Sequence, residues 1–454
     1  MAAPIRFVII GGGPAGNTAA THAARLGAEV TLIERDILGG AAHLWDCIPS
    51  KAMIATGGAM SLTRRSGGMG LEQLDAGLDF EALGPRNEAI TERLSQSVRT
   101  LLASQDVRIL RGTGRLKAPH QVVAETDGEL LELEADAVLV ATGSRPRIPP
   151  WADVDGARIL TTRDAYPPPE IPEHLVVIGS GVTGVEFVHM FASFGSRVTL
   201  IVSRQQVLPE KDPDVAAALE ADFLGRGVGL LKGARAEGID RTDAGVIVRC
   251  DDGRRVVASH ALLAIGFVPN SDELGLDAAG VETERGFVPV NHHCQSNVGH
   301  IYAAGDLSGK LPLSSVASMQ GRKIAEHVMG QHTRAHRHLD YEKAASAIFT
   351  EPEIADVGLA ETDAFAAGRK IRVTKVPFAA SARALIDGDA RGFVKIVSDP
   401  ATGIVLGGSI VGRNASELIS VIALAVTAGL RVTDIVESLL VHPTLAEALA
   451  DAAE

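Results

Sequence analysis

The chain has 454 residues, of which 46% are hydrophobic and 22% charged, a composition typical of a globular protein with several domains. Its formal net charge of −13 would repel the phosphates of nucleic acids and anionic membranes, so neither is predicted as a partner. No apolar run is long enough to span a bilayer and the first residues match no signal peptide, so we expect a cytoplasmic protein without membrane insertion.

The first predicted elements form a dinucleotide-binding pattern. An apolar strand at residues 7–10 leads into a glycine-rich turn, a helical segment and a second strand at residues 29–33, which ends at Glu34. In such a turn the glycines permit a tight bend, close approach of a pyrophosphate, and close packing of helix on strand. Glu34 is placed to accept hydrogen bonds from an adenosine ribose. The turn is Gly-Gly-Gly-Pro-Ala-Gly at residues 11–16, with Gly11, Gly13, Pro14, Ala15 and Gly16 as its candidate contacts.

Residues 39–51 carry the next feature, a cysteine in front of a predicted helix. Cys47 directly precedes Ile-Pro-Ser-Lys, and a thiol at a helix N-terminus ionises more readily to the nucleophilic thiolate. The alternative is a buried, inert cysteine that packs as a small apolar residue. His43 and Trp45 could form a platform against a planar molecule, or Trp45 could simply pack in the core.

A second dinucleotide-binding pattern follows a proline-rich hinge at residues 166–172. Its strands are predicted at residues 175–178 and 197–202, and the second strand ends in Val202, Ser203 and Arg204 without a carboxylate. An arginine at this point can neutralise a 2′-phosphate, which predicts that NADPH is used at least as well as NADH. The alternative is that Arg204 points to solvent. The turn is Gly-Ser-Gly-Val-Thr-Gly at residues 179–184, with Gly179, Gly181, Val182, Thr183 and Gly184 as its candidate contacts.

Together these motifs resemble the FAD-dependent pyridine nucleotide-disulfide oxidoreductases, the family of dihydrolipoamide dehydrogenase and glutathione reductase. In that family two cysteines separated by four residues form a disulfide against the flavin, whereas this chain has Ala42 at the first position and Cys47 at the second. The resemblance is therefore closest to the NAD(P)H:quinone reductase branch without the cysteine pair. It continues through residues 138–143, 262–270, 301–306, 313–317, 349–355 and 442–447.

The resemblance implies an α/β fold with two Rossmann-like dinucleotide-binding domains and a C-terminal α+β dimerisation domain. We expect an FAD-binding domain at residues 1–150 and 271–344, an NAD(P)-binding domain at 151–270, and an interface domain at 345–454. A polar stretch at residues 331–338 is predicted to be a solvated loop before the last domain. The cofactors would be FAD with NADP(H), NAD(H) or both, and the chain would form a homodimer.

Further contacts with these cofactors are implied by the same resemblance. Besides the two turns, Glu34 and residues 202–204, they are Arg35, Gly40, Ala41, Cys47, Lys51, Gly114, Ala141, Thr142, Gly143, Gly266, Gly305, Asp306, Leu313, Ser314 and Ala317. No metal site is predicted.

The resemblance also implies a catalytic set. Cys47 would be the sulfur that faces the flavin, and Lys51 would approach flavin N5 with Glu186 as its partner, because a buried lysine needs a counter-charge. A solvated lysine is the alternative. His442 and Glu447 match an acid–base dyad that a second subunit contributes. The dyad would protonate a new acceptor, such as a quinone oxygen, or merely brace the interface.

The predicted function is hydride transfer from NAD(P)H through FAD to a small diffusible acceptor, most simply a quinone, without a redox-active disulfide. Three alternatives remain open: a soluble pyridine nucleotide transhydrogenase, a peroxidase or oxidase that uses Cys47 as a sulfenic acid, and a flavin-loaded scaffold or redox sensor that is not an enzyme.

Overall fold

The structure is a computed structural model that describes residues 3–72, 76–331 and 339–454. Apart from Gln331, the predicted polar loop at residues 331–338 lies outside the described residues. Within the described ranges, no helix is both long enough and apolar enough to cross a bilayer.

The described residues contain strands of three to seven residues in both parallel and antiparallel sheets. In chain order they are β1 (Arg6–Ile10), β2 (Glu29–Glu34), β3 (Arg108–Arg111), β4 (Thr113–Ala118), β5 (Gln121–Thr126), β6 (Glu129–Glu134), β7 (Ala137–Val140), β8 (Ser144–Pro146), β9 (Ile159–Thr161), β10 (His174–Ile178), β11 (Arg197–Val202), β12 (Gly229–Lys232), β13 (Ala236–Thr242), β14 (Gly245–Cys250), β15 (Arg255–Ala258), β16 (His260–Leu263), β17 (Phe267–Pro269), β18 (Ile301–Ala303), β19 (Ser346–Ile348), β20 (Ile354–Gly358), β21 (Arg372–Pro377), β22 (Phe393–Ser398) and β23 (Val405–Val411).

The α-helices range from single turns to 21 residues. They are α1 (Pro14–Arg25), α2 (Ile48–Arg65), α3 (Leu83–Ala103), α4 (Val182–Phe194), α5 (Pro213–Gly225), α6 (Ser314–Val328), α7 (Glu361–Ala366), α8 (Ala382–Ile386), α9 (Ala415–Ala428), α10 (Val432–Val436) and α11 (Glu447–Ala453).

The chain divides into two compact units. Unit 1 comprises Met1–Ser50, Ala82–Arg147 and Gly266–Tyr341, and unit 2 comprises Lys51–Glu81, Ile148–Ile265 and Glu342–Glu454. The four predicted domain ranges stay a prediction.

Unit 1 is built on a parallel sheet with the strand order β18-β7-β1-β2-β3. The central strand β1 is buried along all but its first residue, which explains its unbroken apolar run, since a central parallel strand is covered on both faces. α1 and α6 pack closely together, and a Cβ at Gly321 in α6 would overlap the Ala15 carbonyl of α1. This sheet therefore presents the first glycine turn at the carboxyl end of its central strand.

Unit 2 contains a second parallel sheet of the order β12-β11-β10-β16-β9, with the wholly buried β10 at its centre. It also contains an antiparallel sheet, β19-β20-β23-β22-β21, with α9 packed on β20 and β23. The predicted fold class is confirmed: two parallel α/β sheets of Rossmann type and a C-terminal α+β domain.

Candidate active site

The first glycine turn has the geometry of a pyrophosphate cradle. Gly11 lies at a φ of 108°, and a Cβ there would overlap the Ala141 carbonyl. A Cβ at Gly16 would overlap the Gly11 carbonyl, so only glycine lets α1 begin this close to β1. At Gly13, by contrast, a Cβ would meet nothing within 4 Å, which leaves the backbone open to a ligand. Pro14 is the first residue of α1, whose free N–H groups favour an anion.

Glu34 ties the end of β2 to this turn. Its carboxylate accepts hydrogen bonds from the Gly12 N–H at 2.6 Å and the Asp36 N–H at 2.7 Å. Burial raises the pKa of Glu34, and these two hydrogen bonds offset part of that shift. Arg35 is exposed and pairs with Asp36 at 3.3 Å. Glu34 therefore stabilises the turn through hydrogen bonds. It is also the residue predicted to bind the ribose.

A second loop of unit 1 carries Asp306 after β18. The Ser144 hydroxyl donates to the Asp306 carboxylate at 2.6 Å, and the Gly305 N–H donates to Gln320 Oε1 at 2.8 Å. Gln320 is only 1% exposed. It lies in α6, the helix whose first residues are the predicted flavin contacts. The carboxylate is thus anchored at one oxygen by Ser144.

The remaining cofactor positions of unit 1 lie around these two loops. Gly40 packs against Gly13, and a Cβ there would come 2.9 Å from the Gly13 Cα. The Thr142 hydroxyl donates to the Asn270 carbonyl at 2.7 Å. The other predicted positions are placed as follows: Ala41 before the turn at 42–46, Gly114 in β4 against Ile33, Ala141 and Gly143 after β7, Gly266 before β17, and Leu313, Ser314 and Ala317 at the start of α6.

Cys47 ends a turn of π-helix, Ala42–Asp46, in which the Cys47 N–H donates to the Ala42 carbonyl five residues back. This spacing puts residues 42, 43 and 47 on one side of the turn. They line a cavity of about 350 Å³ in unit 1 together with residues of α1, α3 and α6. Ala42 and Cys47, where the resemblance places the family's two cysteines, therefore both line this cavity, and Cys47 supplies the one sulfur among its described lining residues.

Three helices begin at this cavity. Pro14 of α1, Ile48 of α2 and Ser314 of α6 are each the first residue of their helix, and all three line it. Helix N-termini carry partial positive charge, so the cavity favours negative charge on a group placed within it. Among the described residues, no Asp, Glu, Lys or Arg lines the cavity.

The second glycine turn, in unit 2, repeats the first. Gly179 lies at a φ of 110°, and Cβ atoms at Gly179 and Gly184 would overlap the carbonyls of Ala264 and Gly179. A Cβ at Gly181 would meet nothing within 4 Å. Val182 and Thr183 are exposed in the first turn of α4. The second turn therefore has the same three features as the first: a tight bend, an open backbone at its middle glycine, and a helix N-terminus.

Strand β11 ends beside this second turn. Val202 is buried, whereas Ser203 and Arg204 are exposed just beyond the strand. The Arg204 carbonyl accepts the Gly233 N–H at 3.1 Å, which fixes its backbone and leaves the side chain at the surface.

Lys51 and Glu186 form an ion pair in unit 2. The Lys51 Nζ lies 2.8 Å from Glu186 Oε2, and the side chains are 28% and 6% exposed. The other carboxylate oxygen of Glu186 accepts the Phe349 N–H at 2.9 Å, and the Lys51 ammonium lies 5.0 Å from the centre of the Phe349 ring. Both oxygens of the buried carboxylate are therefore satisfied, and the lysine has a carboxylate and a ring as partners.

His442 and Glu447 are in hydrogen-bonding contact. His442 Nδ1 lies 2.8 Å from Glu447 Oε1, and the Thr444 N–H donates to the other carboxylate oxygen at 2.8 Å. The pKa of Glu447 is lowered first by the Thr444 N–H and then by His442. The imidazole is 72% exposed, with Nδ1 held by the glutamate. This pair orients an imidazole whose other nitrogen can exchange protons.

Sequence reasoning missed Ser144, Gln320 and Phe349 as neighbours of the site. Ser144 and Gln320 anchor the Asp306 loop through side chains that carry no motif of their own. Phe349 acts through its backbone N–H, a donor that almost every residue supplies. Only the buried amide of Gln320 on an otherwise amphipathic helix could have signalled such a role.

The chain matches the family model for pyridine nucleotide-disulphide oxidoreductase over residues 5–321 and the model for its dimerisation domain over residues 344–453. The protein therefore belongs to the pyridine nucleotide-disulphide oxidoreductase family. It is a flavoprotein oxidoreductase that uses FAD and NAD(P)H. The dimerisation domain supports a homodimer.

Among its relatives is an NAD(P)H dehydrogenase (quinone) of Mycobacterium tuberculosis, 42% identical over 99% of this chain and 93% of that protein. A dihydrolipoyl dehydrogenase of Zymomonas mobilis is 34% identical over 99% of this chain and 97% of that protein. Among solved structures, LpdA of Mycobacterium tuberculosis matches with a TM-score of 0.94 at 41% identity, covering 99% of both chains.

The two glycine turns fit these dinucleotides. Each has an open glycine backbone at a helix N-terminus, and the first has Glu34 while the second has Arg204 beyond the following strand. Bound FAD supplies a ring that accepts a hydride from NAD(P)H and passes on its electrons. Residues of the first turn, Glu34 and Asp306 would hold it, and those of the second turn would hold the nicotinamide nucleotide.

Proposed function

We propose that the protein is an NAD(P)H:quinone reductase that works without a redox-active disulfide. The overall reaction converts NAD(P)H, a quinone and one proton into NAD(P)⁺ and a hydroquinone. The observation that carries the proposal is the cavity that Ala42 and Cys47 both line, with Cys47 as the one sulfur among its described lining residues. With one sulfur at this place, no dithiol can store the two electrons, so a diffusible molecule must receive them.

The chemistry of the cavity favours an uncharged acceptor. Its volume of about 350 Å³ lies in the range of small-molecule sites, and in the described part of the chain no charged side chain lines it. That lining offers no side chain of opposite charge to pair with the several carboxylates and ammonium groups of a charged disulfide such as glutathione disulfide. The three helix N-termini favour the negative charge that develops on a quinone oxygen as it gains electrons. The name of the mycobacterial relative, NAD(P)H dehydrogenase (quinone), agrees with this choice.

The chain's own residues supply the rest of the mechanism. Lys51 is held in unit 2 by Glu186 and Phe349. The family pattern implies that this lysine would approach flavin N5, where its positive charge would favour negative charge on the reduced flavin. His442, oriented by Glu447, can exchange a proton at its exposed nitrogen. Cys47 lines the acceptor cavity and has no electron-storing role in this reaction.

An anaerobic titration tests the proposal. NADPH is added to the purified yellow protein until the flavin absorbance bleaches, and menadione is then added. The proposal predicts bleaching and rapid recovery of the absorbance. Recovery with NAD⁺ instead of menadione would identify a transhydrogenase, and recovery with peroxide that is lost in Cys47→Ser would identify a peroxidase. A protein that does not bleach would be a flavin scaffold.

A further inference from the structure

His43 lies in the acceptor cavity on the same face of the π-helical turn as Cys47. Its backbone carbonyl accepts the Thr91 hydroxyl of α3 at 2.9 Å, which fixes the turn from outside. Its imidazole packs directly on Gly39, where a Cβ would overlap ring atom Nδ1. Gly39 has a φ of 107°, so any side chain there would be strained as well as in collision. Glycine at position 39 therefore leaves the space that the His43 ring occupies.

In the described part of the chain, no Asp, Glu, Lys or Arg side chain lines the cavity with this ring. α1 contributes Pro14, Asn17 and Thr18 to the cavity wall, α3 contributes Val98, and α6 contributes three serines. Within the described chain, His43 and Cys47 are the two titratable side chains of that wall. No carboxylate of that wall can therefore pair with a protonated His43 or take its proton. The oxygen of a bound quinone would be the proton acceptor.

We propose that His43 is the acid that protonates the acceptor oxygen in this cavity, in the same subunit as Cys47. The inference rests on the proposed function. The quinone gains two electrons and two protons: NAD(P)H gives up a hydride, equal to two electrons and one proton, and the His43 imidazolium gives the second proton. Neutral His43 then regains a proton from solvent, so atoms and charge balance over the cycle.

The environment of His43 sets the direction of the pH dependence. Burial lowers the pKa of His43, and the Leu38 carbonyl offsets part of that shift. An acid with a lowered pKa loses its proton at a lower pH than a free imidazole does, so kcat/KM for the quinone falls as the pH rises, by about tenfold per pH unit in the limiting region.

The test compares His43→Gln and His43→Asn with His442→Gln and with His300→Gln. His300 lies apart from the cavity, where its Nε2 contacts the Pro119 carbonyl, and serves as the control. For each variant, kcat/KM for menadione is measured from pH 5.5 to 8.5, and the rate of flavin reduction by NADPH is measured anaerobically. We expect both His43 variants to lose about 100-fold in kcat/KM at pH 6 and to lose the pH slope, with unchanged flavin reduction.

Calorimetry gives a readout that does not depend on turnover. Menadione binding to the oxidised protein, without nucleotide, is measured near pH 6.5 in two buffers of different ionisation enthalpy. Wild-type protein should take up part of a proton on binding because the quinone oxygen favours the imidazolium form, and the His43→Gln protein should take up none.

The outcomes are distinguishable. Wild-type pH slope and proton uptake in both His43 variants would overturn the inference while menadione turnover still supports the proposed function. Loss of the slope in His442→Gln alone would overturn it in favour of His442. Failure of wild-type enzyme to reduce menadione would overturn the proposed function, and the inference with it.

Discussion

The Glu186 carboxylate bonds to the Lys51 ammonium through one oxygen and to the Phe349 backbone through the other, at 2.8 and 2.9 Å. Glu186 is nearly buried, whereas Lys51 keeps part of its side chain in solvent. Because each oxygen of this buried carboxylate has a partner, Glu186 is fixed in place and holds the lysine in one direction.

Replacing Lys51 by methionine should destabilise the protein. The substitution leaves the buried Glu186 carboxylate with the Phe349 N–H alone, which should lower the free energy of unfolding by about 2 kcal/mol. Urea denaturation of proteins with equal flavin content measures the difference. The double variant Lys51→Met with Glu186→Gln should recover part of the loss.

The matched control for this prediction is Lys117→Met. Lys117 pairs with Glu132 at 2.6 Å, but these side chains are 45% and 61% exposed, so their pair contributes less than about 1 kcal/mol. If Lys51→Met and Lys117→Met had the same small effect, the carboxylate of Glu186 would not depend on Lys51.

Arg204 should determine the preference for NADPH. Its backbone is fixed beside the second glycine turn and its side chain is at the surface, where a 2′-phosphate would arrive. Arg204→Ala should raise the KM for NADPH about tenfold and leave that for NADH nearly unchanged. Steady-state kinetics with both nucleotides measures this. Arg249→Ala is the control, since Arg249 pairs with Asp240 on a separate sheet. Equal KM values for NADPH in the wild type, Arg204→Ala and Arg249→Ala would refute the role of Arg204.

Cys47 should be the reactive cysteine of the native protein. It lines the cavity, whereas Cys250 and Cys294 are buried, and burial raises the pKa of Cys294 to about 11. Iodoacetamide at pH 8 should therefore label Cys47 first, as read by mass spectrometry of the peptides, and menadione should slow the labelling. Labelling of Cys294 at a similar rate, or no protection by menadione, would count against an acceptor site at Cys47.

Asp389 should contribute a pH-dependent increment of stability. Burial alone would raise its pKa, but hydrogen bonds and charges from Arg391 and Arg65, both at 2.7 Å, lower the pKa of Asp389 to about 2. A folded-state pKa below the unfolded value of 3.8 means that the stabilisation is present above about pH 4 and is lost as the pH falls towards 2. The increment is about 2 kcal/mol.

Urea denaturation of wild type and Asp389→Asn at pH 3 and pH 6 measures this increment. The gap in stability should be wider at pH 6. The exposed Asp243, in the turn between β13 and β14, supplies the control Asp243→Asn, which should be close to wild type at both values. A gap for Asp389→Asn that does not change with pH would refute the assignment.

The fold could be predicted from the sequence because its signals are local. The apolar run before Gly11 and the acid at Glu34 each lie within one strand–turn–helix segment, and a turn that only glycine can make restricts the possible structures strongly. The second turn repeats those signals, and the order of the motifs then identifies the family.

Other parts of the structure, in the candidate site and outside it, could not be predicted in this way. Arg65, Glu351 and Asp389 lie far apart in the chain and meet only in the folded unit. The π-helical turn that places His43 beside Cys47 depends on packing against Gly39 and α3, and no local pattern specifies it. The division of the chain into domains and the roles of the site residues stay predictions.

The central claim is that two electrons leave the protein to a diffusible acceptor and never reside on a dithiol. Its most direct test measures NADPH-driven initial rates anaerobically with menadione and with lipoamide, on the same wild-type preparation. The account predicts that menadione is reduced at least about 100-fold faster than lipoamide. Comparable turnover of lipoamide would contradict it.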